Sequence, residues 1–222
     1  MTFLELVRFA MKRAGVREDL PTTLVGATGI VDDFIDWVND AWEELQIDRE
    51  DPPWWFRTLM DQTLAVTTST DEYSMPAGLE TIDWRTVTVY TVAKQDETPV
   101  EYIPYNNWRT RFDTITGQAG RPQFITLKPD NSLAMFPVPD QNYTLRFDGV
   151  LDLEELTADA DVPSGLPAMY HKLLAWDAVR KFAEHHEDGT MLAKAQGRHK
   201  RYFKRVLARQ LPTMDIEKGV LY

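Results

Sequence analysis

Apolar positions along this chain follow two periods, a helical one near both ends and an alternating one between them. Thr2 followed by Glu5 makes a capping box, and Phe3, Leu6, Val7, Ala10, Met11 and Ala14 then recur at helical spacing up to Gly15. The spacing predicts a short amphipathic helix, with Arg8, Lys12 and Arg13 toward its C-terminal end, where free carbonyls favour cations. From Ile30 to Asp48 the set Val31, Phe34, Ile35, Val38, Trp42 and Leu45 falls on one helical face, with Thr28 as the expected cap. Asp51, Pro52 and Pro53 break this helix. Trp54, Trp55 and Phe56 follow as an aromatic knot, read as a packing plug rather than a ligand platform.

From Gln62 the period drops to two. Leu64 and Val66, Tyr73 and Met75, Val87 and Val89, Val100 and Tyr102, Phe124 to Leu127, Leu133 to Phe136, and Tyr143, Leu145 and Phe147 mark about six short strands of an antiparallel module. Asn106 to Asp113 is expected to form a turn or two of helix with Trp108 and Phe112 inward, and Pro129 to Ser132 a tight turn. Asp152 to Gly165 reads as an acidic loop. Leu166 to Leu211 then reads as two helices. The first has Pro167 in its opening turn and carries Tyr170, Leu173, Leu174, Val179, Phe182 and Ala183; Gly189 ends it. The second is capped by Thr190 and carries Leu192, Ala195, His199, Tyr202, Phe203, Val206 and Leu207 until Leu211 meets Pro212.

These elements predict an α+β fold, in which a layer of four helices, two N-terminal and two C-terminal, is interrupted by an inserted antiparallel β module. The expected divisions are an N-terminal helical part (1–61), the β module (62–151), a C-terminal helical part (152–211) and an extended tail (212–222). An apolar fraction of 43% is ample for a buried core. With 24 basic against 35 acidic residues, net charge −11, the chain does not suit a dedicated duplex-DNA binder, which needs a positive footprint. No apolar run approaches the ~18 residues of a membrane span, and the N-terminus is unlike a signal peptide, so a soluble protein made in the cytoplasm is expected. Zero cysteines exclude disulfides, a Cys-ligated metal and a thiol nucleophile.

Charge is patterned on two helices. The Ile30–Asp48 helix carries Asp32, Asp36, Asp40, Glu43 and Glu44 as an acidic ridge. On the last helix Lys194, Arg198, Arg201, Arg205 and Arg209 recur at steps of three and four, a basic stripe expected opposite the packed side and widened by Lys200 and Lys204. The plain reading is solvated faces. The functional reading is a contact surface, whose partner is an acidic face of the same chain, a neighbouring copy, or nucleic acid. If ridge and stripe pair, each exposed pair contributes only ~0.2 to 1 kcal/mol and sets register more than strength.

Candidate chemistry is sparse. His185 and His186 are adjacent on a helix, hence about 100° apart, and chelate one ion poorly; His171 and His199 have no partners at ligand spacing. No glycine-rich phosphate loop occurs, and Ser164-Gly165 lacks the frame of a nucleophile elbow. No cofactor or metal is expected. Acidic neighbours such as Asp32 with Asp33, or Glu154 with Glu155, would serve a glycosidase only if two of them faced each other across a cleft.

Four stretches together resemble the tailed-bacteriophage head-to-tail adaptor family, also called connector or tail tubular protein A proteins. They are the helix core from Trp37 to Leu45 leading into Trp54, Trp55 and Phe56; Tyr73 to Pro76 with Gly78 and Leu79; the hairpin from Leu133 to Asp140 followed by Tyr143 and Leu145; and Pro163 and Pro167 before helices bearing Trp176, Tyr202 and Leu207. The resemblance implies a non-enzymatic virion protein: a ring, usually of twelve copies, beneath the portal, extending the channel through which double-stranded DNA passes without specific binding, and receiving tail or nozzle proteins. It also implies that the tail, with Met214, Ile216, Val220, Leu221 and Tyr222, docks on the portal. In such a ring the acidic ridge and basic stripe would suit a contact between unlike faces. The competing reading is a glycan- or cell-wall-binding tail module, with or without hydrolase activity, using exposed aromatics such as Trp54, Trp84 or Trp108.

Overall fold

Thr2 caps helix α1 (Phe3–Ala14) in the computed structural model, which describes residues 1–49, 53–91, 95–112, 115 and 117–211. Its hydroxyl accepts from the Glu5 amide at 3.3 Å while the Glu5 carboxylate accepts from the Thr2 amide at 3.1 Å, so two helix-end donors are satisfied reciprocally. All six apolar positions expected to face inward are buried, and Gly15 ends the helix in the left-handed conformation. Helix α2 (Ile30–Ile47) buries Phe34, Val38, Ala41, Trp42 and Leu45, leaving Val31 and Ile35 half-buried. Its cap is Gly29 rather than Thr28, and no side chain closes it. A single 3-10 turn (Trp55–Arg57) follows. Trp54 and Phe56 are buried in the helical core, with the Trp54 indole donating to the Leu45 carbonyl at 2.7 Å, but Trp55 is 48% exposed. The aromatic knot is therefore a plug in two of its three rings.

Strands β1 (Thr58–Val66), β2 (Glu72–Ser74), β3 (Leu79–Tyr90), β4 (Thr98–Pro99) and β5 (Glu101–Tyr102) come next, then a short helix α3 (Tyr105–Arg111) that buries Trp108. Strands β6 (Ala119–Gly120), β7 (Phe124–Leu127), β8 (Ser132–Phe136), β9 (Val138–Pro139) and β10 (Tyr143–Leu151) complete the series. One four-stranded sheet has the order β1-β10-β3-β4 and is antiparallel throughout; a second has the order β2-β8-β7-β5. One core cluster draws on both, including Val87, Val89, Ile125, Leu133, Leu145 and Phe147.

Here the structure corrects the sequence expectation twice. Among the described residues ten strands replace about six, and the module is not wholly antiparallel, because β5 runs parallel to β7 and β6 parallel to β9. The first four residues of β1 escaped the alternation because the register shifts between Leu59 and Gln62, with Asp61 at φ 55°. The start of β3 was hidden for a similar reason: a register shift against β10 leaves Leu79 and Ile82 both buried at a spacing of three.

After an irregular segment, helix α4 (Lys172–His185) begins later than expected, since Pro167 to His171 form turns rather than its first turn. Nine of its 14 residues are buried, and it packs against α1, α2 and α5. Helix α5 (Gly189–Gln210) includes Gly189 as its first residue. Its cap is Asp188, whose carboxylate accepts from the Met191 amide at 2.9 Å, so Thr190 lies inside the helix. The described residues thereby make two units: 58–152, rich in strands, and 1–57 joined by 153–211, in which the helices α1, α2, α4 and α5 lie.

Candidate functional site

The acidic ridge is built by α2 together with a segment that returns to it from far along the sequence. Asn39 and Gln46, seven residues apart and so near one helical face, each bracket one residue of that segment through its backbone. The Asn39 amide donates to the Leu156 carbonyl at 3.0 Å and accepts from the Leu156 amide at 3.1 Å. Gln46, which is 2% exposed, does the same for Glu154, both bonds at 2.9 Å. Segment 153–156 is thus held extended along α2, and Glu154 and Glu155 join the ridge. Asp36, Asp40, Glu43, Leu153, Glu154 and Glu155 line an open groove of about 610 Å3 with Trp37 and Asn39. Partial burial, then the neighbouring Asp32, Asp40 and Asp33, hold the Asp36 carboxyl above the usual carboxylate range.

Part of the ridge is already neutralised within the unit. Lys181 of α4 reaches Asp40 at 3.2 Å and Glu44 at 2.8 Å, and Arg180 approaches Glu44 at 3.8 Å. The basic partner of α2 in its own copy is therefore α4, and no ion pair joins α2 to the α5 stripe among the described residues. Asp32, Asp36 and Glu43 have no ion-pair partner among those residues.

On α5 the core side is the line through Ala195 and Val206, the two buried residues of the helix. At ~100° per residue, Lys194, Arg198, Arg201, Arg205 and Arg209 fall about a quarter-turn to one side of that line, not opposite it; Lys200 and Lys204 lie opposite. All seven are exposed, and none has an ion-pair partner among the described residues. The other flank of α5 presents His199 and Phe203 to α2. There they line a cleft of about 260 Å3 with Leu45, Glu44, Leu173, Asp177 and Arg180.

That cleft holds the polar cluster that sequence spacing missed. Asp177, 4% exposed, accepts from Arg180 Nε at 2.8 Å and Nη2 at 3.2 Å, and lies 3.5 Å from His199 Nε2. Burial pushes the His199 pKa below its ordinary value of 6.5, against the pull of Asp177. The carboxylate is engaged by the guanidinium rather than poised for chemistry, and Arg180 is held in its charged form by that bond. His171 is likewise structural: it is 1% exposed, and its ring lies 2.8 Å from the Leu166 carbonyl oxygen. No group of His, Cys, Asp and Glu residues suited to a metal occurs among the described residues. The bracketing of segment 153–156 did have a sequence signal, in Asn39 and Gln46, two amides at a seven-residue interval on an otherwise apolar or acidic helix.

Two of the three aromatics named for a glycan platform are buried. Trp54 and Trp108 are 0% and 5% exposed, and Trp84 is partly buried against Tyr102 with ring centroids 4.3 Å apart. The expected tail residues Met214, Ile216, Val220, Leu221 and Tyr222 lie outside the described residues. No helix among the described residues is long and apolar enough to cross a membrane. A family model described as "SU10 adaptor protein" matches residues 1–218. No curated protein matches the chain.

Proposed function

Since the chain belongs to the SU10 adaptor protein family, a phage head-to-tail adaptor family, we propose that it forms a ring of identical copies, twelve in number, beneath the portal at the capsid vertex. Membership supports a structural role in a bacteriophage particle, and in our reading the chain carries no enzymatic activity. In the proposed ring the copies join through unlike faces, the lumen continues the DNA channel, and the distal side receives the tail or nozzle protein. The tail from Pro212 to Tyr222 is the segment we assign to the portal, on the strength of its apolar residues spaced among charges.

The observation that carries this reading is the span of the family match, which takes in both units rather than one. Physical chemistry agrees. A net charge of −11 suits a conduit along which a polyanion must slide, because like charge discourages phosphate contact. The test is quantitative mass spectrometry of purified particles, counting copies of this chain against the portal protein. We expect a ratio near one; absence of the chain from particles would overturn the reading.

A further inference from the structure

We propose that the lateral basic stripe of α5 is a subunit contact, and that its occupant is the acidic groove between α2 and segment 153–155 of a second copy of this chain. The inference rests on the adaptor reading and names the faces that join its copies.

Neither face is fully partnered at home. Lys194, Arg198, Arg201, Arg205 and Arg209 are exposed and without an ion pair among the described residues. In the groove, Asp40 is taken by Lys181, whereas Asp36 and Glu43 have no ion-pair partner among the described residues, and burial first, then repulsion from the acids around it, raises the pKa of Asp36. A cationic face entering the groove would relieve that repulsion.

The two faces also cannot serve each other within one copy. The flank of α5 turned to α2 is that of His199 and Phe203, which share a cleft with Leu45 and Glu44. The stripe lies on the other flank. On α2, Asp32, Asp36, Asp40 and Glu43 lie about half a turn from the buried Val38, hence away from the core. Complementary charge on unlike sides of one unit is the arrangement that joins copies head to tail. The lengths agree: at ~1.5 Å per residue the stripe runs about 22 Å, and Asp32 to Glu43 about 17 Å before Glu155 extends the acidic face. Leu153, 45% exposed at the groove, adds apolar area beside the charges. Nucleic acid is the weaker occupant for the stripe, because the rest of a chain with 35 acidic residues repels phosphate.

Variants supplied in trans to a phage lacking the gene test this. One set reverses the stripe (Arg198→Glu, Arg201→Glu, Arg205→Glu), a second reverses the groove (Asp32→Lys, Asp36→Lys, Glu43→Lys), and a third carries both. Copies of wild-type chain per portal subunit decide the adaptor reading; the ratio of variant to wild-type copies decides this pairing. Each single-face set is expected to lower incorporation by about tenfold or more, and the combined set to restore it, since reversing both faces recreates complementarity. Unchanged incorporation in either single-face set would overturn the pairing. So would a stripe reversal that spares copy number but releases packaged DNA, which would assign the stripe to nucleic acid. A carbodiimide, which joins amines to carboxylates in direct contact, provides a readout independent of variant folding. On wild-type particles it should link Lys194, the one lysine of the stripe, to Asp36, Glu43 or Glu155 of another copy, and the lack of any such link would equally sink the proposal.

Discussion

At Gly165 the backbone has φ +69°, and a Cβ built there would stand 2.3 Å from the Phe56 carbonyl oxygen. Two penalties combine, left-handed strain and a clash with rigid backbone, so Gly165→Ala should lower stability by roughly 2 to 4 kcal/mol. Gly26, at φ +70° with open space around it, separates them: Gly26→Ala carries the strain alone and should cost about 1 kcal/mol. Denaturation midpoints of the two variants check the difference, and equal losses would show that the Phe56 approach is unimportant. His199 supplies a pH dependence. Its folded pKa lies below the ordinary 6.5, so the fold favours the neutral ring. Stability from this group is complete above about pH 6.5 and is lost as the pH falls, when the unfolded chain takes up a proton that the fold resists. Asp177, Arg180 and Glu44 surround the ring, and burial outweighs the attraction of the two carboxylates. His199→Gln should therefore flatten the fall in stability between pH 7.5 and pH 5.5; parallel wild-type and variant curves would refute the assignment.

Among the elements, α1 was fully legible in sequence because its cap, its apolar face and its glycine stop all agree. The α4–α5 junction was not. Gly189 and Thr190 carry the usual signals of a stop and a cap, but Asp188 captures the Met191 amide first, so the helix begins on the glycine instead of ending there. The stripe was found by spacing, yet its direction depended on which residues the helix buries, and only Ala195 and Val206 decide that. The irregular 153–156 segment was legible as acidic and no more, because its order comes from Asn39 and Gln46 more than a hundred positions away. This segment behaves like a strand that pairs with side chains. In hydrogen exchange the amides of Glu154 and Leu156 should be protected, with that of Glu155 exchanging freely, and Asn39→Ala with Gln46→Ala should erase the alternation. Alternation that survives in the double variant would refute the bracket.

For the molecule as a whole, the sequence announced the α+β class through its change of period, and the family match now covers nearly the entire chain. It could not announce the parallel strand pairs, since two-residue strands such as β5 and β6 are too short to show any period. The helical unit is discontinuous: its first part ends at Arg57, and α4, which covers the apolar faces of α1 and α2, begins only at Lys172. During synthesis those two helices must therefore wait for residues 58–171 to be made. At ~5 to 20 residues per second the wait is on the order of 10 s, long compared with the microseconds in which helices form. The half-made chain carries Phe34, Val38 and Trp42 without their cover throughout that interval, which makes the nascent helical pair the species most in need of a chaperone.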